Sequence, residues 1–395
     1  MTPAATPPRR PFGWPLATWL ALVALAAATP AAATPDDIRV AVVTGARGVE
    51  LGGGPLVVRD AAGRSLVAGT PTWLRIAPGR KGGLEVRAAS LRRGAIRAAV
   101  VRIAPAGGRP VRVNARDYPG VVEIVRSGAG LLVVNELPLE EYLPGVIKAE
   151  AGEAMPLEML KAQAVVARTY AAYHRALNAG KPYHLGASTA HQQYAGAVGP
   201  ASPARHAAEE TRGQVLLWEG VLFPAFYHTD SGGHTEDPRV VYNSPRMPAL
   251  RPVMVDFASE SSHREWILEI GRADLAGRLR RGGVSVGHIA ALEIVERSAS
   301  LRVSRIAVRG TRGIEVLAGN EFRRLVGYDV LKSTLFDVGL RGAMVRFSGR
   351  GYGHGIGLDQ SRAKTMADRA FRAADILAYF YPGAVLSGPR PAGVR

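Results

Sequence analysis

At Pro138 the character of this 395-residue chain changes, and that change limits the possible folds more than any bulk property does. Before it, short β-branched runs recur: Ile38 to Val43, Leu56 to Val58, Ala99 to Ile103, Val111 to Val113, Val121 to Val125 and Leu131 to Val134. Gly52-Gly53-Gly54, Pro78-Gly79 and Gly107-Gly108 punctuate them, so the region reads as antiparallel strands joined by turns. After Pro138, a residue suited to a first helical turn, the pattern turns helical. A short helix is predicted over Leu139 to Leu143, ending at Pro144-Gly145, and a long one from about Pro156 to Leu177. The inward stripe of the long helix, Leu160, Ala164, Ala167 and Ala171, is made mostly of small side chains that permit close packing. The fold class expected is α+β, a β-rich N-terminal region followed by a mixed α/β core.

Further along, Ser202 to Thr211 reads as a helix closed by Gly213, and Gln214 to Leu217 with Val221 to Tyr227 as a hairpin around Glu219-Gly220. Residues Ser261 to Phe336 mix helix (Arg272 to Leu279) with strands (Ala291 to Val295, Val303 to Arg309, Ile314 to Leu317), and Asn320 is expected to cap a helical turn over Glu321 to Leu325. Two more helices are expected over Ser361 to Arg369 and Ala373 to Phe380.

At the N-terminus, Arg9 and Arg10 precede an apolar run from Trp14 to Ala28 and an A-x-A pattern at Ala31 to Ala33. This is the pattern of a signal peptide cut near Ala33, and an uncleaved anchor is the alternative. The run is shorter than the roughly 20 residues a spanning helix requires, so no stable membrane span is expected after cleavage. The organisation expected is a signal over 1–33, a β-rich region over 34–133, a main domain over 134–388 with an inserted or accessory lobe at about 261–336, and a tail over 389–395. With no cysteine, thiolate metal sites and cysteine nucleophiles are excluded. The formal charge of +17 comes mostly from scattered arginines with no run of five, a solvated surface more than a nucleic-acid footprint. Such a surface still favours a polyanionic envelope.

Glu150, in Val146-Ile147-Lys148-Ala149-Glu150, is the candidate acid/base. Its apolar flanks would raise a carboxyl pKa, whereas the dipole of a following helix would favour the ionised form. A capping or surface-paired glutamate is the alternative, and Glu140, Glu141, Glu153 and Glu158 look like exposed helix positions. In Gly349 to Gln360, glycines at every second position leave one face of an extended chain bare, while Arg350, Tyr352 and His354 would project together from the other. The Lys-Ser/Thr of a phosphate loop is missing there. The glycines could equally serve close packing alone. His228, Asp230 and His234 have metal-ligand chemistry but lack a supporting motif, and Ser231, His354 and Asp359 lack a nucleophile elbow.

Taken in order, Val134-Asn135-Glu136-Leu137-Pro138-Leu139-Glu140-Glu141-Tyr142-Leu143, Ala149-Glu150, Leu160-Lys161-Ala162-Gln163-Ala164-Val165, Ala167-Arg168-Thr169-Tyr170, Tyr227-His228, Ser231-Gly232-Gly233 and Gly349-Arg350-Gly351-Tyr352-Gly353-His354-Gly355 with Gln360 resemble the SpoIID/LytB family over roughly residues 134 to 388. The resemblance implies a SpoIID-type catalytic core and a secreted peptidoglycan lytic transglycosylase acting on denuded glycan strands. Some relatives look like zinc binders through cysteine and histidine near the Ser231-Gly232-Gly233 turn, but with no cysteine here that carry-over fails, and no cofactor or metal is expected. It puts the essential glutamate at Glu150 and substrate contacts at His228, Ser231, Gly232, Arg350, Tyr352, His354 and Gln360, with Gln163 and Arg168 supporting Glu150. A second reading is a non-catalytic wall protein that stimulates a partner amidase. The sequence departs from the family pattern at Ala151, usually Met, and at Asp359, Ser361 and Arg362 around Gln360.

Overall fold

A computed structural model describes residues 36–88, 96–258 and 260–388. The expected signal over 1–33 and the tail over 389–395 lie outside the described residues. Within them the chain is α+β. Two six-stranded antiparallel arrays form the N-terminal part. One runs Asp37–Ala46, Gly130–Pro138, Val121–Ser127, Val100–Pro105 and Leu56–Arg59, with Leu185–Gly186 added in parallel beside Asp37–Ala46. The other runs Ile96–Ala98, Leu84–Ala88, Leu74–Pro78, Val49–Gly52, Val111–Val113 and Arg116–Tyr118. The strand Gly130–Pro138 crosses residue 134 and leads directly into the first helix, so the β part and the helices share one hydrophobic core.

The helices are α1 (Leu139–Glu150), α2 (Leu157–Leu177), α3 (Pro203–Glu210), α4 (Pro238–Tyr242), α5 (Arg272–Arg281), α6 (Gly319–Val326), α7 (Gln360–Asp368) and α8 (Ala373–Phe380). Helix α1 does not stop at Leu143 as the sequence led us to expect. It runs through Pro144 to Glu150. An interior proline costs about 3 kcal/mol, but Tyr142, Leu143, Val146 and Ile147 are all fully buried, each contributing about 1.5–3 kcal/mol. Burial therefore outweighs the lost hydrogen bond.

Helix α2 is central, packing against α1, α3, α7 and α8. The predicted stripe of Leu160, Ala164, Ala167 and Ala171 is fully buried, and burial extends around the helix to Gln163, Val166 and Thr169. No helix among the described residues is long and apolar enough to cross a membrane.

The predicted hairpin forms between Val215–Trp218 and Val221–Leu222, with Glu219 and Gly220 both at positive φ as a two-residue hairpin turn requires. Its second strand ends early, because Pro224 cannot donate to a ladder. Tyr227–His228 instead pairs in parallel with Leu358–Asp359. Asn320 is not a cap: Ala318 takes that place, and the Asn320 amide donates to the Val241 carbonyl at 3.3 Å.

A second hydrophobic core gathers residues between Trp266 and Phe347, including Leu275, Leu279, Phe322, Phe336 and Phe347. Two three-stranded antiparallel sheets enclose it together with α5 and α6: Trp266–Gly271, Met344–Gly349, Phe336–Arg341, and Ile289–Arg297, Val303–Gly310, Gly313–Ala318. Arg302, at 1% exposure, reaches from this lobe into the main body. It donates to the carbonyls of His234 at 2.7 Å and Ser231 at 2.5 Å.

Candidate active site

Glu150 is the last residue of α1, not the residue before α2, which begins at Leu157. The sign of the dipole argument therefore reverses, because the negative end of a helix disfavours a carboxylate. Burial pushes the Glu150 carboxyl above its ordinary range, against hydrogen bonds from the Gln193 backbone and from Tyr227. The Gln193 amide donates to Glu150 Oε1 at 2.5 Å. Gly145 allows this approach, since a Cβ there would lie 2.4 Å from the Gly196 carbonyl, and the Gly145 carbonyl receives the Ala195 amide at 3.0 Å.

The backbone of Glu150 is held from the far end of the chain. Gln360, the first residue of α7, donates Nε2 to the Glu150 carbonyl at 3.4 Å and to Gln163 Oε1 at 3.2 Å. Both glutamines are buried. Arg168 is placed differently: its guanidinium makes a two-point contact with Glu140 at 2.8 and 2.9 Å and donates to the carbonyls of Ala208 and Gln214, tying α1 and α2 to α3 and the hairpin. Glu158 and Glu153 pair with Lys161 and Lys148.

The remaining predicted contacts surround the turn at Asp230 to Gly233. His228 is buried, with Nδ1 3.0 Å from the Ile356 carbonyl, and burial holds its pKa down at about 3. Its ring lies 5.6 Å from that of His354, whose Nδ1 accepts from the Ile356 amide at 3.0 Å. Ser231 is fully buried, its hydroxyl accepting from the Gly233 amide at 3.2 Å. Asp359 accepts from the Ser231 amide and pairs with Arg362, so serine and aspartate are both engaged outside any triad. A Cβ on Gly232 would lie 2.7 Å from Leu335. Arg350 is exposed, whereas the Tyr352 hydroxyl donates to Asp329 at 3.2 Å. No group of three or more metal-binding side chains comes together among the described residues.

The glycine run is not extended. Gly351, Gly353, Gly355 and Gly357 all have positive φ, so the chain coils, and each glycine meets a neighbour that a side chain would strike. At Gly353 the neighbour is His228, and at Gly355 it is the Arg302 guanidinium. His354 turns inward among Phe226, His228 and Tyr242 instead of projecting beside Arg350.

Three groups near Glu150 escaped the sequence reading: Tyr227, Gln192 and Gln193. The buried Tyr227 hydroxyl interacts with Glu150, and Gln192, fully buried, accepts from the Tyr142 hydroxyl at 3.4 Å. For the two glutamines the available signal was the run Gln192-Gln193-Tyr194 in an otherwise small-residue loop, and Tyr227 stood in the Tyr227-His228 pair without a role of its own.

The description of the stage II sporulation protein family, SpoIID, matches residues 127–218. Stage II sporulation protein D of Bacillus subtilis is 26% identical over 270 residues, which is 64% of this chain and 76% of that protein. The chain is similar to proteins of the SpoIID/LytB family. An uncharacterised protein of Brachyspira hyodysenteriae is 27% identical over 272 residues, 69% of this chain and 72% of that protein. The amidase enhancer of Bacillus subtilis is 28% identical over 289 residues, 62% of this chain but 40% of that protein, so the match spans less than half of it. A domain of unknown function, DUF8618, matches residues 255–357, which contain the second core.

The SpoIID match contains Glu150, Gln163 and Gln193, while Tyr227 and Gln360 lie beyond it. Two departures from the SpoIID/LytB pattern form a compensated set: Arg362 pairs with Asp359 at 2.7 Å and with Asp230 at 2.6 Å. Buried ionic groups left single are strongly destabilising, so these residues stand or fall together.

Proposed function

We propose that this protein is an extracytoplasmic, wall-remodelling lytic transglycosylase that cleaves the bond between N-acetylmuramic acid and N-acetylglucosamine in glycan strands stripped of stem peptides. The observation carrying this reading is a half-buried carboxyl, Glu150, whose pKa burial raises and which has no ion-pair partner among the described residues, while neighbouring Glu140, Glu153 and Glu158 pair with Arg168, Lys148 and Lys161.

In the step envisaged, Glu150 gives its proton to the glycosidic oxygen as the bond from C1 breaks. The muramyl C6 hydroxyl then bonds to C1 and returns its proton to the Glu150 carboxylate, leaving a 1,6-anhydro end. Because the nucleophile belongs to the substrate, one carboxyl suffices, unlike the pair that ordinary glycosidases need. Exposed Arg350 and half-buried Tyr352 would touch the glycan directly, and buried His228 and Ser231, with half-buried Gly232 and His354, would support the surface from beneath.

A second reading, a non-catalytic stimulator of a cell-wall amidase, is favoured by the likeness to the amidase enhancer. Incubation with purified denuded glycan, followed by mass analysis of the termini, separates the two. Water-loss termini with wild type and none with Glu150→Gln support the lyase. Unchanged glycan together with raised turnover of an added amidase supports the stimulator.

A further inference from the structure

Tyr227 sits in the two-residue strand Tyr227–His228, locked by parallel pairing with Leu358–Asp359. The next residue after that partner strand is Gln360, which holds the Glu150 carbonyl. Strand pairing and helix start thus put Gln360 on the backbone carbonyl of Glu150 and bring Tyr227 within range of its carboxyl. The Tyr227 hydroxyl is fully buried and lacks a hydrogen bond of normal geometry, with the Glu150 carboxyl and the Gln192 side chain both within interaction range. Two other tyrosines lie within electrostatic range of the carboxyl, Tyr142 from α1 and Tyr170 from α2. Tyr142 directs its hydroxyl to Gln192. No cation is among the groups acting on Glu150.

We propose that Tyr227 is a positioning residue for Glu150: its hydroxyl donates to the carboxylate once the proton has left, as a second donor beside the Gln193 amide. This rests on the reading of Glu150 as acid/base. The chemistry asks for such a group, since a half-buried carboxylate without a counter-ion must survive long enough to take back a proton from the sugar. Burial and the nearby carboxylate keep the phenol protonated well above its ordinary range, so it remains a donor throughout. It contributes no proton to the product.

The test compares full-length wild type with Tyr227→Phe, following the Glu150 side-chain carboxyl by carbon NMR across pH, with the resonance assigned through Glu150→Gln. Loss of a hydrogen bond to a charged group should raise the Glu150 pKa by about one unit. Replacing Tyr227 by 3-fluorotyrosine, a stronger donor of nearly the same shape, should move it down. An unchanged midpoint in both proteins overturns the proposal, and the fluorinated protein keeps the test open if the phenylalanine variant misfolds. The titration is independent of turnover. Absence of anhydro products from wild type would sink the lyase reading while the contact between Tyr227 and Glu150 is still judged.

Discussion

The backbone amide of Gln193 donates to Glu150 Oε1 at 2.5 Å, fixing one carboxylate oxygen by a group that survives every substitution at 193 except proline. Replacing Glu150 by Gln keeps the shape and removes the proton. Cleavage of denuded glycan should fall by about a hundredfold or more, the usual scale of general acid–base catalysis. The variant should also be more stable than wild type at neutral pH. The raised carboxyl pKa means the folded protein binds that proton more tightly than the unfolded chain does, so wild type loses stability as pH rises from the unfolded value through the folded one. Urea titrations at pH 3.5 and pH 7 would show the difference vanishing in acid.

Turnover should carry the mark of the same group. The first step needs protonated Glu150, so kcat/KM for denuded glycan should fall on the alkaline side, with a midpoint above the ordinary carboxyl value of 4.5. A pH profile from 4 to 9 checks this, and a midpoint at or below 4.5 would exclude Glu150 as the acid.

Arg302 should matter for stability before it matters for chemistry. Its loss, as in Arg302→Met, leaves the carbonyls of Ser231 and His234 without their donor, at a cost of about 3 kcal/mol. Equilibrium unfolding in urea measures it. Arg302→Lys should recover only part, since one ammonium cannot reproduce the spread of a guanidinium.

Gly355→Ala tests the same contact from the other side. The new Cβ would lie 2.6 Å from Arg302 Cζ, at a backbone φ of +86°. A destabilisation of about 1–3 kcal/mol is expected, read as a lowered thermal midpoint, with glycan cleavage falling alongside.

Histidine burial gives an acid limit. His174 and His184 are held at about 4 and His228 at about 3, in each case mainly by desolvation. A base with a lowered folded pKa stabilises fully above its unfolded value of 6.5 and loses that contribution as pH falls. Stability should therefore decline from pH 6.5 toward 4, and proton NMR should find the His228 ring neutral from pH 5 to 8.

Much of this was legible beforehand because it depends on local pattern. The β runs, the buried stripe of α2 and the helix after Ser202 follow from periodicity and capping. What escaped was set by distant partners. Nothing near Pro144 says that the helix continues, because its compensation lies in side chains buried against other elements. Alternating glycines are visible in the sequence, but the sign of φ is not, so an extended face was expected where the chain coils around His228 and Arg302. Tyr227 gains its place through pairing with Leu358.

The grip of Gln360 on Glu150 also sets an order in time. A ribosome makes the carboxylate and the helix that bears it long before it makes the amide that steadies them, and the arginine that braces the turn at Ser231 comes between. A nascent or truncated chain ending after α3 would contain the acid but not its setting. Competence at Glu150 would thus be a property of the finished chain.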